Sequence, residues 1–241
     1  MLVKEAAVCT VLVAASLLGD SWAQLKSGCK LETLTACGDD FLPYGKTTTL
    51  AVSGAPLMEK CQIYRDQLDC TKNFTRACTE GVPRAAVLLA MEAFQDHVDA
   101  VCTVGTKSYE DYQRSVGCMN SVGVKINGCL NGLHGNLEKA VVKATPKDTI
   151  RYTCCSYGGL VDCLEKVLVP CEDVGGREFT INLVEQVFGE TLSLVCGTYI
   201  RGSEACNALP KLPELGAKDR KYDGFVELLL EIVDRIGGRR G

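Results

Sequence analysis

The stretches CQIYRDQLDCTKNFTRAC, residues 61–78, and CCSYGGLVDCLEKVLVPC, residues 154–171, place three cysteines at one spacing, nine and then eight positions apart. The register continues on both sides. Cys29, Cys37, Cys61, Cys70, Cys78 and Cys102 recur as Cys118, Cys129, Cys154, Cys163, Cys171 and Cys196, at intervals of 8, 24, 9, 8, 24 and 11, 25, 9, 8, 25. One insertion of a few residues accounts for most of the difference. Tyr64 matches Tyr157, Asp69 matches Asp162, and Phe94 matches Phe188 after a one-residue shift. Agreement over five intervals marks an internal repeat.

Periodicity makes the repeated unit helical. Leu57, Cys61, Tyr64 and Leu68 recur at i, i+4, i+7 and i+11, as do Cys154, Tyr157, Val161, Leu164, Leu168 and Cys171 in the other copy. A closing helix follows in each, carrying Val87, Met91, Phe94, Val98, Val101 and Cys102, then Val184, Val187, Phe188, Leu194 and Val195. Pro83 and Glu178 stand near the starts of these helices, where a proline and a carboxylate are favourable. The leading helix is the weakest in each copy, because 46–53 is rich in threonine and 123–135 in glycine. Beyond them Phe225, Leu228, Leu229, Ile232, Val233 and Ile236 form an apolar stripe, with Glu227, Glu231 and Asp234 on other faces. This predicts an all-α fold, two tandem disulfide-tied three-helix units plus a C-terminal amphipathic helix that packs on the second unit or the seam.

Helical geometry then selects the disulfides. At ~100° per residue, with Tyr64 as zero, Cys61 lies at about +60°, Cys78 at about −40°, Cys70 at about −120° and Asn73 at about 180°. The middle helix therefore offers one cysteine to one neighbour and two to the other, with its sequon facing solvent. Antiparallel helices bring together residues equidistant from the bend. Cys37 and Cys70 share a midpoint with Cys29 and Cys78 in Ser53-Gly54-Ala55-Pro56, and Cys61 and Cys102 share one at Gly81-Val82-Pro83. Of fifteen pairings open to six cysteines, the geometry selects Cys29–Cys78, Cys37–Cys70 and Cys61–Cys102, with Cys118–Cys171, Cys129–Cys163 and Cys154–Cys196 in the second unit. Cys155 and Cys206 have no counterparts. Bonded together they fold the segment after Cys196 over the outer face of the second middle helix; an exchange of partners between Cys154 and Cys155 is equally open.

The N-terminus reads as a targeting segment. Lys4 precedes an apolar run from Val8 to Leu18, and Ser21-Trp22-Ala23 places small residues before a cut ahead of Gln24. The run is too short for a membrane span. The expected organisation is a signal peptide at 1–23, helical cysteine-rich repeats at 24–105 and 106–210, and the C-terminal helix and tail at 211–241. Of the 15 cysteines, Cys9 leaves with the signal, and the remaining 14 suit an oxidising, extracellular compartment. Lys4, Glu5 and Asp20 leave too, so 25 basic and 28 acidic residues remain, a net charge of −3. That balance argues against nucleic acid as a partner. The single sequon, Asn73-Phe74-Thr75, is a glycosylation candidate. Gly237-Gly238-Arg239-Arg240 reads as a frayed terminus, with dibasic processing the lesser alternative.

Residues with catalytic chemistry are few. His97 and His134 are the only histidines; the first reads as a surface or interhelical residue, the second, in Asn131-Gly132-Leu133-His134-Gly135, as a loop residue. Long, regular cysteine intervals fit bridges better than the close ligand pairs of a zinc site. Asp39-Asp40, Glu110-Asp111 and Glu172-Asp173 read as solvated turn acids without a calcium-loop pattern, and Gly175-Gly176-Arg177 lacks the context of a phosphate loop. No catalytic, cofactor-binding or metal-binding residues are assigned, and the chain is expected not to be an enzyme.

The Cys-x8-Cys-x7-Cys core, Asp162-Cys163-Leu164 and a closing helix that ends in cysteine resemble the secreted helical cysteine-rich proteins of arthropods typified by the hemolymph glycoprotein family. They are also similar to a nematode and arthropod extracellular domain of comparable spacing. The resemblance covers both units, roughly 29–206. It implies a helical extracellular glycoprotein of body fluid or secretion, with no assigned reaction and no catalytic residues to carry over. The single sequon and the additional pair Cys155 and Cys206 depart from that pattern. The expected function is binding, of an extracellular protein partner or of a small hydrophobic ligand carried in a seam between the units. Phe94, Phe188, Val98 and Leu192 mark that seam, with ordinary packed core as their other reading.

Overall fold

The structure, a computed structural model, describes residues 25–189, 192 and 195–236. The expected signal peptide at 1–23, Leu194 and the Gly237–Arg240 tail lie outside these residues. Nine α-helices and no strands are present among them: α1 (Leu31–Thr35), α2 (Gly54–Cys78), α3 (Gly81–Cys102), α4 (Lys107–Ser121), α5 (Gly123–Lys143), α6 (Pro146–Val167), α7 (Gly176–Val184), α8 (Glu204–Asn207) and α9 (Phe225–Ile236). None is long and apolar enough to cross a membrane.

Seven disulfides tie the helices together: Cys29–Cys78, Cys37–Cys70, Cys61–Cys102, Cys118–Cys171, Cys129–Cys163, Cys154–Cys196 and Cys155–Cys206. Their Cα–Cα separations, 5.5 to 5.9 Å, are ordinary for the bond. Cys61–Cys102 links α2 to α3 across the Gly81–Pro83 turn and Cys129–Cys163 links α5 to α6, whereas Cys29 and Cys37 flank α1 and reach α2 past the Ser53–Pro56 turn from outside any helix. The Gly81–Pro83 turn reverses at Gly81, whose φ of 65° lies in the left-handed region where glycine carries no Cβ penalty.

The two repeats are less alike than their cysteines. In the first, the leading segment is helical only over α1, and 36–53 runs as turns and extended chain. Gly38, Pro43, Gly45 and the threonines at 47–49 make a helix costly there. The segment's backbone groups find partners instead on α4 and α5. Asn120 accepts from the Leu50 amide and donates to the Leu50 carbonyl, and Asn127 donates to the carbonyls of Tyr44 and Gly45. Tyr112 and Gln113 donate to the carbonyls of Ala51 and Val52. In the second repeat the glycine-rich stretch is helical after all, as α5, and His134 sits within that helix rather than in a loop. Packing of Ile126, Leu130, Leu133 and Leu137 into the core outweighs the weak propensity of the glycines.

α6 is also shorter than its periodicity implies. Thr145 caps its start by accepting from the Asp148 amide, with Pro146 in the first turn. It stops at Val167 because Pro170 disfavours helical geometry in the residue before it. Cys171 is reached through a 3₁₀ turn, Val169–Cys171, so it does not share the helical frame of Cys154 and Cys163. α7 widens into a π turn at Glu185–Gly189.

One continuous apolar core runs through both repeats. The C-terminal helix completes it: α9 packs on α3, α6 and α5, and so lies at the seam. That position buries it on nearly every side, including Leu228, Leu230 and Ile232. Glu231, which lies off the apolar stripe, is only 2 % exposed; Arg220 and Arg235 stand beside its carboxylate. The chain reaches α9 as a strap along α5, where Lys139 pairs with Glu214, Lys143 with Asp219, and Glu138 accepts from the Tyr222 amide.

Candidate functional site: an apolar cavity between the repeats

Phe94 of α3 and Phe188 of the π turn, equivalent residues of the two repeats, meet edge to face with ring centroids 6.1 Å apart. Phe41 also packs on Phe94, with ring centroids 5.3 Å apart. Around this aromatic seam the helices leave a cavity of about 150 Å³. Of the four residues that mark the seam in the sequence, Phe94, Phe188 and Leu192 line it. Val98 is buried in the core and is not among the lining residues.

Each wall comes from a different part of the chain. Leu130, Leu133 and Leu137 of α5 and Leu160 and Leu164 of α6 form one side. Their i, i+3, i+4, i+7 spacing puts them on the inner faces of those helices. α7 supplies Phe179 and Leu183, and α9 supplies Phe225 and Leu229. The remaining wall is the non-helical segment, through Phe41, Leu42, Tyr44 and Leu50. Tyr44 is only 1 % exposed and adopts φ of 60°, left-handed geometry that a non-glycine residue rarely keeps. Its hydroxyl donates to Asn120 Oδ1 at 2.9 Å, and burial raises the phenol's pKa.

The polar groups of the lining are mostly occupied. Tyr112 donates to Ala51, Thr153 to the Thr149 carbonyl and Thr180 to the Gly176 carbonyl. Asp39 is ion-paired with Lys46. His97 is half-buried against Phe179, ring centroids 5.5 Å apart, and makes no hydrogen bond among the described residues. Loss of hydration pushes its pKa down to about 4, so the imidazole is neutral at physiological pH. Tyr157 also reaches the lining, with its pKa raised chiefly by burial.

The other candidate residues are apart from this site. His134 packs on Phe225 at 5.2 Å, and its Nε2 is buried without a hydrogen bond. Neither histidine is paired with a carboxylate or a nucleophile among the described residues. Asp40 accepts from Gln67, Asp111 pairs with Lys107 and Arg114, and Glu172 pairs with Arg177. No group of three or more His, Cys, Asp or Glu placed to hold a metal ion occurs among the described residues. Asn73 is exposed on α2, while the Thr75 hydroxyl of its sequon is buried and donates to the Thr71 carbonyl at 2.8 Å.

Two walls were not legible in the sequence. The run Phe41-Leu42-Pro43-Tyr44 shows no periodicity but is apolar beyond what an exposed loop needs, the one signal that pointed to it. α9 was visible as an amphipathic helix, but not as a wall of this site. No protein-family model, curated protein or solved structure matches the chain.

Proposed function

We propose that this is a secreted, non-catalytic extracellular protein whose task is to bind and carry a small hydrophobic ligand in the cavity between its repeats. The observation that carries this reading is the cavity itself, walled mainly by apolar side chains from six helices and one non-helical segment. Apolar cavities of about this size stay dry and admit a benzene-sized molecule, and concave, mainly apolar sites with a few polar groups are the usual form of small-molecule sites. Two local conformations of the lining support a binding role. A π turn and a left-handed, buried tyrosine are both costly, and such costs concentrate at functional sites. Seven disulfides and the cysteine-rich repeat suit an oxidising fluid outside the cell, in keeping with the resemblance to helical hemolymph proteins. A glycan at the exposed Asn73 suits the same setting.

Native mass spectrometry of the oxidised protein from its own source, followed by solvent extraction, tests this function. One apolar molecule per chain, lost on denaturation, is the expected result. The variant Leu130→Phe, which places extra carbons in the cavity, is expected to keep the seven bridges and lose the ligand. Protein that is empty, and that takes up no apolar compound when challenged, refutes the carrier function.

A further inference from the structure

We infer that the cavity selects uncharged lipophiles bearing one weak hydrogen-bonding group, such as aliphatic alcohols, ketones or esters, and rejects fatty-acid anions and amines. This inference rests on the cavity being the ligand site. It follows from which polar groups face the space and which of them are already spent.

A carboxylate headgroup needs a cation or several converging donors, because an unpaired charge in an apolar site loses far more hydration than it recovers. No lysine or arginine lines the cavity among the described residues, and the one charged lining residue, Asp39, is an acid already held by Lys46. An anion therefore meets no counter-charge. An ammonium group fares no better, since the Asp39 carboxylate is neutralised before the ligand arrives. The hydroxyls of Tyr44, Tyr112, Thr153 and Thr180 donate to Asn120, Ala51, Thr149 and Gly176 respectively. Their protons are not available to a headgroup.

His97 is different. Its ring lines the cavity, packs on Phe179, and has no hydrogen-bonding partner among the described residues. As a neutral imidazole it offers one donor and one acceptor, which suits a hydroxyl or a carbonyl and adds no charge. Tyr157, whose hydroxyl likewise makes no hydrogen bond among the described residues, is the second polar group in the lining. The rest of the lining contacts hydrocarbon, so most of the affinity comes from the apolar body and His97 orients one end.

A matched five-carbon series, of a size that a cavity of about 150 Å³ admits, decides the question: n-pentane, 1-pentanol, pentanoate and pentylammonium, titrated calorimetrically at pH 7.5 against the oxidised wild-type protein and His97→Phe. Pentanol and pentane are expected to bind one per chain, with pentanoate and pentylammonium at least about 30-fold weaker than pentanol. His97→Phe alters the lining for both neutral compounds, so its reading is the ratio of pentanol to pentane affinity, which is expected to fall about 3- to 10-fold, the effect of one lost hydrogen bond. Pentanoate binding within about 3-fold of pentanol overturns the ligand class and leaves the cavity as a site. An unchanged pentanol-to-pentane ratio in His97→Phe overturns the role of His97. Failure of all four compounds on the wild-type protein, pentane included, overturns the carrier function itself and this inference with it.

Discussion

Helix α5 carries glycine at 123, 128, 132 and 135, and alanine is the better helix former by up to about 1 kcal/mol. Propensity alone therefore expects all four Gly→Ala changes to stabilise. The structure separates them. A Cβ at 128, 132 or 135 meets nothing within 4 Å, so Gly128→Ala and Gly132→Ala are each expected to raise stability by about 0.5–1 kcal/mol. At Gly123 the added carbon lies 1.9 Å from the Thr48 carbonyl oxygen and 3.1 Å from Tyr44 Cε1. The carbonyl must retreat by more than about an ångström, and it belongs to a segment that Asn120 and Asn127 pin to α4 and α5. Overpacking of this kind costs about 1–3 kcal/mol, and a strained Asn120 hydrogen bond adds about 1 kcal/mol. Net of the propensity gain, Gly123→Ala is expected to destabilise by about 2–3 kcal/mol. Guanidinium unfolding with the disulfides intact, followed by far-UV circular dichroism, measures it through the midpoint at unchanged slope. Thermal unfolding should fall by about 5–10 °C for a chain of this length. A Gly123→Ala protein as stable as Gly132→Ala refutes the close packing of the 46–50 segment on α5.

Acid should expose the burial of His97. Its folded pKa of about 4 lies below the unfolded value of about 6.5, so between these pH values the unfolded chain binds more protons. Stability is then full above about pH 6.5 and falls by about 2–3 kcal/mol as pH drops toward 4; denaturation of His97→Gln across this range should lack that slope, and identical slopes would refute it. The Cys155–Cys206 bridge closes little new loop, because Cys154–Cys196 already ties the adjacent residues and only ten positions separate Cys196 from Cys206. Cys155→Ser with Cys206→Ser should cost about 3 kcal/mol rather than the roughly 4 of an isolated 51-residue separation, and an unfolded double variant would show the clasp to be essential. Asn120→Ala leaves the Leu50 amide and carbonyl and the Tyr44 hydroxyl without their partner. It should cost about 2–3 kcal/mol by chemical denaturation and weaken uptake of apolar compounds, since Tyr44 and Leu50 wall the cavity; a loss under about 0.5 kcal/mol would show the clamp to be idle.

Helical periodicity and cysteine spacing pointed to the all-α fold and to the disulfide pairs other than those of Cys154 and Cys155, whose partners the tertiary structure decided, because those features depend on the angle between residues on one helix and on distance from a bend. Both are local quantities, and they are written directly in sequence intervals. Tertiary structure decided the rest. The 36–53 segment abandons its helix because side chains more than sixty positions away supply its hydrogen bonds, while the glycine-rich 123–143 segment keeps one because its apolar face is buried. Glu231 was readable only as lying off the apolar stripe, and its burial came with the docking of α9 between α3, α5 and α6, where Arg220 and Arg235 accompany it. The cavity belongs to the same class. Phe94, Phe188 and Leu192 were readable as a seam, but whether a seam closes or leaves space depends on how side chains from six helices and a loop fill a volume, a collective property that no single stretch of sequence contains.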